Sequence, residues 1–326
     1  GLTKVEVARH DQFRIIEFIN QRDGDPQDVV LAKTITGFSD FLQEHSTDLV
    51  IIHGDRVEAL ACSLVCAINQ IRSAHIEGGE VSGTIDEIFR HCNTKLALSH
   101  LVSSDIAKAR VQRMGEPSES IHVIGSPEID VHSKCSGVSL KEVRERYQIP
   151  FDEYGICIFH PVTSEAASIE EQAQALFAAL KESKRTFVVI MPNNDPGSSS
   201  IFRTISSISR EQFRVLPSMR FAYFSELLRN ACVLVGNSSV GVREAPFLGV
   251  PSLDIGTRQA HRGNADSVWR CKATNRTVIL RFLSEAWGKR YDRSEAFGTG
   301  DSVKNFVQLL GDPEFWARPI QKYFVE

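Results

Sequence analysis

The sequence lacks the features that mark several large classes of protein. Its seven cysteines form no CxxC pair, so their spacing indicates neither a zinc site nor a disulfide framework. With a net charge of −4, the chain carries no basic excess for binding nucleic acid or anionic membranes. No apolar run approaches the length that crosses a bilayer, and no internal repeat or low-complexity tract is present. These absences predict a cytoplasmic, reduced protein that binds neither nucleic acid nor membrane.

What the chain does have is a regular alternation of apolar, strand-like runs with amphipathic, helix-like segments. Such alternation predicts parallel sheets with helical crossovers, and 326 residues suit two domains. We predict an α/β protein of two doubly wound, Rossmann-like domains that face a cleft. The N-terminal domain takes residues 1–130 and the C-terminal domain residues 131–302, and a C-terminal helix over 303–326 returns to the first domain.

The strands and helices are predicted from the spacing of apolar residues along the chain. In the first domain, the strand-like runs are residues 13–18, 49–52, 73–76, 96–102 and 121–124. In the second domain, they are residues 155–159, 186–191, 213–216, 232–235 and 250–255. A helix is predicted over residues 28–44, and another is expected to begin after Ser238. The alternation lapses at Gly125, Ser126 and Pro127, which we assign as the linker.

Three carboxylates follow the ends of consecutive predicted strands in the first domain. Asp55 comes after the run 49–52, and Glu77 and Asp86 come after the run 73–76. The carboxyl ends of strands are where open α/β sheets bind ligands. Carboxylates that converge there repel one another and lose hydration, which a fold seldom accepts without a use for them. Acid–base chemistry is therefore the first hypothesis.

Two other interpretations of these acidic residues remain open. Glu77, Glu80 and Asp86 could hold Mg²⁺, which prefers oxygen ligands, although their spacing matches no metal motif. Each carboxylate taken singly could also be an ordinary residue of a surface loop. We predict that the protein needs neither a metal nor a cofactor.

A second set of polar residues follows predicted strands in the other half of the chain. Ser238 and Ser239 come after an apolar strand, where free backbone N–H groups at a helix start could bind phosphate. Glu244 lies one turn further on and could accept hydrogen bonds from a ribose diol. Arg258 and Arg262 follow the next strand and favour a diphosphate ligand. The alternatives are an ordinary serine helix cap and a solvated loop.

Histidine and tyrosine side chains add weaker signals. His160 ends the first strand of the second domain, which would bring its imidazole to the cleft. A lone histidine is more often structural than catalytic. His53 lies on the same side of its strand as Asp55 by alternation, although the turn at Gly54 could redirect both. Tyr223 could stack on a base or simply join the core.

These motifs resemble the UDP-N-acetylglucosamine (UDP-GlcNAc) 2-epimerase family, and more narrowly its hydrolysing, sialic-acid-pathway branch. The resemblance is carried by HGDR at 53–56, HIEGGEVSGTID at 75–86, HPVT at 160–163, GNSSVGVREAP at 236–246 and GTRQ at 256–259. It implies the two-domain, GT-B-like fold that nucleotide-sugar glycosyltransferases also use. The family's first strand and its basic phosphate-contacting turn have no counterpart here, so we expect that these 326 residues lack the N-terminal strand.

The resemblance also implies a mechanism and a set of site residues. A carboxylate would remove the C2 proton of UDP-GlcNAc, UDP would leave from C1, and water would add to the resulting glucal to release N-acetylmannosamine. By family position, the acid–base carboxylates are Asp55, Glu77 and Asp86, and His160 is the essential histidine. The substrate-binding positions are Ser238, Ser239, Glu244, Tyr223, Arg258, Arg262, His53 and Gly78. A homodimer or homotetramer is expected.

Several other functions fit the same residues. One is a non-hydrolysing epimerase, and another is the hydrolysing reaction on a UDP-2,4-diacetamido-6-deoxy sugar. A third is a GT-B glycosyltransferase, which needs no base at C2, and a fourth is a non-catalytic regulator that binds a nucleotide sugar. No single residue decides by its physical chemistry what becomes of the glucal.

Overall fold

The structure is a computed structural model that describes residues 7–8, 12–22, 24–134, 137–192 and 197–323. The strands are β1 (Val50–His53), β2 (Ser73–Ile76), β3 (Ser99–Val102), β4 (Ile121–Val123), β5 (Gly155–Ile158), β6 (Phe187–Ile190), β7 (Phe213–Leu216), β8 (Val233–Gly236), β9 (Ser252–Ile255) and β10 (Val268–Cys271). The helices are α1 (Gln27–Glu44), α2 (Val57–Ile68), α3 (Asp86–Leu96), α4 (Asp105–Arg113), α5 (Pro127–Ser133), α6 (Leu140–Tyr147), α7 (Ile169–Glu182), α8 (Ser198–Ser206), α9 (Phe221–Asn230), α10 (Glu244–Phe247), α11 (Arg276–Glu285), α12 (Ser302–Leu310) and α13 (Pro313–Ala317).

The chain divides into two compact units, and each is described by itself. The first unit comprises Gly1–Glu80, Ile85–Pro127 and Phe297–Glu326, and the second comprises Val81–Thr84 and Glu128–Ala296. The main boundary therefore falls between Pro127 and Glu128, beside the residues that interrupt the sequence alternation. The short stretch Val81–Thr84 groups with the second unit because Gly83 N–H donates to the carbonyl oxygen of Arg258 at 3.0 Å.

The first unit is built on a parallel sheet in the order β1-β2-β3-β4. Its strands follow one another in chain order, and Ile52 of β1 pairs with His75 of β2. The buried side chains of Ala74, Leu101 and Ile124 form part of its core. Each strand ends at the same edge of the sheet, so the loops after β1, β2 and β3 gather there.

The C-terminal segment returns to this first unit, as predicted, but as two helices rather than one. Phe306 and Leu309 of α12 pack against the core of Ala74, Leu101 and Ile124. Gly311 and Asp312 separate α12 from α13, where Asp312 accepts a hydrogen bond from Glu314 N–H at 3.0 Å and Pro313 opens the new helix. An N-cap followed directly by proline ends the first helix, because proline cannot continue its hydrogen bonds.

The second unit has a parallel sheet in the order β10-β9-β8-β5-β6-β7. Alternate residues of its strands enter two separate apolar clusters, with Cys157 and Phe159 in one and Ile156 and Ile158 in the other. Both faces of the sheet are thus covered, as expected for a parallel sheet. The strand order reverses between β5 and β8, and such a reversal is the usual position of a ligand crevice in doubly wound folds.

The strand predicted over residues 13–18 is wrong. The structure has irregular backbone there, and Phe13 is 67% exposed. Phe18 instead packs against Gly37 of α1, whose position leaves no room for a side chain. An apolar run becomes a strand only when a neighbouring strand takes its hydrogen bonds, and none of the described strands pairs with these residues.

The helix predicted after Ser238 is reduced to two short pieces. Ser239–Gly241 forms a 3₁₀ turn, and α10 contains only Glu244–Phe247. Gly249, with φ of +67°, then turns the chain back toward β9. The continuous helix whose N-terminus was expected to bind phosphate is therefore absent from the described residues around Ser238.

The described helices do not include a candidate membrane span. None of them combines the length and the apolar character needed to cross a bilayer. The longest, α1, mixes lysine, aspartate and glutamate with its apolar residues.

Candidate active site

The loop after β1 is held by side chains from β2 and α3. The carbonyl oxygen of Gly54 accepts from His75 Nε2 at 2.9 Å and from Asn93 Nδ2 at 3.2 Å. Gly54 itself has φ of +87°, which a residue with a side chain rarely adopts. Two donors on one carbonyl fix the turn that carries Asp55.

Helix α3 presents a polar face to these loops. Arg90, Asn93 and Thr94 are spaced three and four residues apart, so they lie on one side of the helix, and all three are buried. Arg90 donates to the carboxylate of Asp55 and, at 3.3 Å, to the carbonyl oxygen of Glu80. One guanidinium thereby joins the loop after β1 to the loop after β2. Asp86 lies one turn before Arg90 on the same face and is half-buried.

Glu77 occupies an unusual backbone conformation directly after β2. Its φ of +74° lies in the left-handed region, which costs a residue with a side chain about 1 kcal/mol or more. Its side chain is nonetheless buried, and Oε2 lies 3.8 Å from the position that a Cβ on Gly54 would take. Glu77 and Asp55 are therefore brought to the same edge of the first unit's sheet, on either side of Gly54.

His75 supports this arrangement rather than titrating within it. Burial lowers the pKa of His75 to about 3, so the imidazole is neutral at ordinary pH. Because a carbonyl oxygen can only accept, Nε2 carries the proton toward Gly54, and Nδ1 accepts from the Thr94 hydroxyl at 3.2 Å. Gly78 is packed against the same pair, since a Cβ there would lie 3.1 Å from Thr94 Oγ1.

The remaining predicted residues of the first unit differ in their surroundings. His53 is exposed at the end of β1, whereas the neighbouring Ile52 is buried. Glu80, a member of the alternative magnesium set, is buried and accepts a hydrogen bond from the Ser103 hydroxyl. Its carboxylate is thus engaged by the loop after β3.

In the second unit, His160 lies at the point where the strand order reverses. It follows β5 by two residues and is half-buried. The amide of Asn237, which follows β8 directly, accepts from His160 N–H at 2.7 Å and donates to His160 carbonyl oxygen at 2.8 Å. Gln259 Nε2 donates to the carbonyl oxygen of Asn237 at 3.0 Å. These contacts bring the loops after β5, β8 and β9 together.

The serines and arginines predicted for phosphate binding gather in these same loops. Ser238 and Ser239 are half-buried, and the Ser238 side chain makes no capping hydrogen bond to the 3₁₀ turn that follows. Arg262 is buried and donates to Gln259 Oε1 at 3.4 Å. Arg258, four residues earlier in the chain, is half-buried. With no long helix here, anion binding would depend on backbone N–H groups and arginine side chains rather than on a helix dipole.

Glu244 is a buried carboxyl group of the second unit with a raised pKa. It is 4% exposed, and burial raises its pKa to about 7 although the neighbouring Arg243 opposes the shift. Among the described residues, Oε2 of Glu244 has no hydrogen-bond partner. A buried acceptor without a partner is unfavourable unless something else satisfies it, which makes this oxygen a candidate ligand contact.

Tyr223 is held by another aromatic side chain and a cation. Its ring meets Tyr147 edge to face with 5.8 Å between centroids, and the Arg146 guanidinium lies 5.3 Å from the Tyr223 ring centroid. The ring is half-buried in the first turn of α9. Both of the interpretations made from the sequence, core packing and base stacking, remain compatible with this environment.

Sequence reasoning missed the residues that hold the candidate site in shape. Arg90, Asn93, Thr94 and Asn237 were not identified from the sequence. The available signal for the first three was their helical spacing beside a carboxylate-rich motif, but the same spacing describes a solvated polar face. Asn237 gave no signal beyond its position after a strand.

The fold is an α/β fold with parallel sheets, and polar residues gather in the loops at the carboxyl ends of the strands, where such folds bind ligands. The sequence profile of the family described as UDP-N-acetylglucosamine 2-epimerase matches residues 6–311, and the chain belongs to this family. The motifs noted in the sequence thus identified the family correctly.

Individual relatives agree with this assignment. A UDP-N-acetylglucosamine 2-epimerase of Neisseria meningitidis serogroup B is 40% identical over 329 residues, spanning 100% of this chain and 87% of that protein. A UDP-N,N'-diacetylbacillosamine 2-epimerase (hydrolyzing) of Legionella pneumophila is 31% identical over 313 residues, spanning 94% and 83%. The crystal structure of a Neisseria meningitidis UDP-GlcNAc 2-epimerase bound to UDP-GlcNAc superposes with a TM-score of 0.75 at 19% identity, covering 90% of this chain and 84% of that one. The last comparison confirms the predicted GT-B-like fold class.

Proposed function

We propose that this protein is a hydrolysing UDP-GlcNAc 2-epimerase. A carboxylate takes the proton from C2 of the sugar while the C1–O bond to UDP breaks, which leaves a double bond between C1 and C2. Water then supplies a hydroxyl group to C1 and a proton to the opposite face of C2. The products are N-acetylmannosamine and UDP, and substrate and one water account for every atom. Sialic-acid-type sugars are the expected destination of this product.

The observation that carries the proposal is the position of Asp55 and Glu77 on either side of Gly54, at the same edge of the sheet. Two carboxylates at the ends of adjacent strands supply a base and an acid within one loop cluster. Arg90 engages Asp55, and Glu77 has a φ of +74°, in the left-handed region that costs a residue with a side chain free energy. We assign Asp55, Glu77 and Asp86 to the proton transfers, with Asp86 on the helix that holds both loops.

The second unit is proposed to bind the nucleotide. The unpartnered buried oxygen of Glu244 suits a ribose diol, whose hydroxyl groups donate hydrogen bonds. Backbone N–H groups near Ser238 and Ser239, together with Arg258 and Arg262, would bind the diphosphate. His160 is proposed to act on the same substrate, and Tyr223 is the candidate for contact with the base. His53 and Gly78 complete the proposed sugar side.

The hydrolysing outcome is supported by the names of relatives rather than by a residue. The Legionella pneumophila protein is described as hydrolyzing, while the name of the Neisseria meningitidis relative does not specify the outcome. The same Legionella name favours a second candidate, in which this protein performs the hydrolysing reaction on UDP-N,N'-diacetylbacillosamine. A homodimer or homotetramer stays a prediction that sedimentation analysis tests.

The decisive experiment is incubation with each UDP-sugar in D₂O, followed by NMR of the products. The proposal expects free N-acetylmannosamine with deuterium at C2, together with UDP in equal amount. Deuterated UDP-N-acetylmannosamine would instead establish the non-hydrolysing reaction. Faster turnover of the diacetamido sugar would establish the second candidate. Transfer of the sugar to an acceptor without deuterium at C2 would establish a glycosyltransferase, and UDP binding without turnover would establish a regulator.

A further inference from the structure

The hydrogen-bond ladder between β5 and β8 extends beyond its last backbone pair, because the side chain of Asn237 bonds to the main chain of His160. The backbone register ends at Ile158 and Gly236, and Asn237 N–H still donates to Ile158 carbonyl oxygen at 3.0 Å. One step further, the partner of His160 is the side-chain amide of Asn237. Its Oδ1 accepts from His160 N–H at 2.7 Å, and its Nδ2 donates to His160 carbonyl oxygen at 2.8 Å.

A primary amide is suited to this role because it carries the same groups as a peptide. It offers one carbonyl acceptor and N–H donors in a plane, so it can replace a backbone unit in a strand ladder. Aspartate has nearly the same shape but, when ionised, offers no donor to the His160 carbonyl oxygen. Serine is too short to satisfy both groups at once. Asn237 is 1% exposed, so either loss would remove a hydrogen bond whose Asn237 side is shielded from water.

The neighbouring residues restrict Asn237 to this position. Gly236 has φ of +143°, and a Cβ there would collide with the carbonyl oxygen of Ile158. Gln259 holds the main-chain carbonyl oxygen of Asn237 from the loop after β9. The N–H, the carbonyl oxygen and both side-chain polar atoms of Asn237 are therefore all engaged by residues of the second unit.

We propose that Asn237 is a positioning residue for His160. Its amide fixes the main chain of His160 and thereby the direction in which the imidazole leaves the end of β5. The inference rests on the proposed function in assigning His160 a part in the reaction. Asn237 acts through His160 and is not proposed to touch the sugar.

The first test compares Asn237→Asp with Asn275→Asp. Asn275 caps α11 by accepting a hydrogen bond from Val278 N–H at 3.2 Å through Oδ1, and aspartate preserves that contact. We expect Asn237→Asp to lower kcat by about 10-fold to 100-fold, because small misplacements of a catalytic group have effects of this size. UDP affinity should stay within about 3-fold of wild type. Asn275→Asp should change neither quantity.

A double-mutant cycle separates positioning from general damage to the fold. If Asn237 acts through His160, adding Asn237→Asp to His160→Ala should lower kcat no further. A second loss as large as the first would overturn the inference. Asn237→Ser repeats the cycle without introducing a charge, in case the aspartate variant does not fold.

A spectroscopic measurement makes the result independent of turnover. The imidazole resonances of ¹³C-labelled histidine are recorded, and that of His160 is identified by its loss in His160→Gln. A displaced or doubled His160 resonance in folded Asn237→Ser supports the inference, even if the wild-type protein turns over no UDP-sugar and the proposed function fails. An unchanged resonance with wild-type kcat in an active enzyme overturns the positioning role and leaves the proposed function intact.

Discussion

The buried guanidinium of Arg90 donates a hydrogen bond to the carboxylate of Asp55, which lies 35 positions earlier in the chain. The Arg90 side chain is fully buried, whereas 24% of the Asp55 side chain reaches solvent. The arginine is thus enclosed by the fold while the carboxylate it holds stays accessible. This is the arrangement expected of a scaffold residue and the reactive group that it orients.

Replacement of Arg90 tests that relationship. We expect Arg90→Lys to lower turnover by about 10²-fold, because an ammonium group cannot reproduce the fixed fork that joins Asp55 to the Glu80 carbonyl oxygen. UDP affinity, measured by calorimetry, should change little because the nucleotide is proposed to bind the second unit. Arg113→Lys, on the exposed end of α4, is the matched control. Wild-type turnover in Arg90→Lys would contradict the role given to this contact.

The acid–base assignment is tested by three amide variants. Asp55→Asn, Glu77→Gln and Asp86→Asn should each lower turnover by about 10²-fold or more, as expected for positioned proton donors and acceptors. Glu87→Gln is the control, since Glu87 neighbours Asp86 on α3 but pairs with His91. Steady-state rates of product formation provide the measurement. If all three amides kept near-wild-type rates, these carboxylates would not be the acid–base groups.

The nucleotide assignment predicts a loss of UDP affinity in Glu244→Ala. Removing the buried carboxyl group should weaken UDP binding by about 10-fold, the effect of losing one hydrogen bond. Ser238→Ala and Ser239→Ala should have smaller effects because backbone N–H groups supply most donors. Titration calorimetry with UDP measures all three, and Glu285→Ala on α11 is the control. Unchanged affinity in Glu244→Ala would exclude the proposed ribose contact.

The raised pKa of Glu244 predicts how stability depends on pH. Because the folded-state pKa is about 7, above the ordinary value of 4.5, the folded protein retains a proton that the unfolded chain releases. The free energy of unfolding should therefore fall as pH rises from about 4.5 to about 7. Glu244→Gln removes this loss and should gain up to about 3 kcal/mol relative to wild type by about pH 8. Urea unfolding measures it, and a constant difference at every pH would refute the explanation.

The carboxylate of Glu116 predicts the opposite dependence in the first unit. Burial raises its pKa, but contacts from His100 at 3.0 Å, Lys322 at 2.6 Å and Lys95 at 2.7 Å outweigh burial and lower the pKa to about 2. Its stabilising effect should be present above about pH 4.5 and lost as pH falls toward 2.

Removal of the Glu116 charge tests that expectation. Glu116→Gln should lower the free energy of unfolding by about 2 kcal/mol at neutral pH, since it leaves the buried end of this network incompletely paired. The difference from wild type should shrink in acid. Glu119→Gln, on an exposed turn, is the control. Equal stability of Glu116→Gln and wild type at neutral pH would contradict the stabilising role given to this carboxylate.

The sequence was sufficient to predict the strands with the strongest apolar runs. β2 and β7 begin and end where the apolar runs 73–76 and 213–216 predicted, because each buries its apolar residues against immediate neighbours. The prediction over residues 13–18 failed because strand formation also needs a partner edge, which no local pattern encodes. The prediction of one helix after Ser238 was wrong, because the chain forms a 3₁₀ turn at Ser239–Gly241 and a separate short helix at Glu244–Phe247. Gly241 packs closely against Leu234 at this point.

The sequence by itself determined the α/β class, the epimerase family and the carboxylates at the strand ends. The class follows from the local hydrophobic periodicity, and the family follows from specific sequence motifs. Only the tertiary structure decided which neighbours hold those groups. Arg90 joins Asp55 to the next loop, and Asn237 pairs with the main chain of His160 across 77 positions. Such contacts depend on how strands and helices pack in three dimensions. Local sequence patterns do not indicate which residues far apart in the chain come close together.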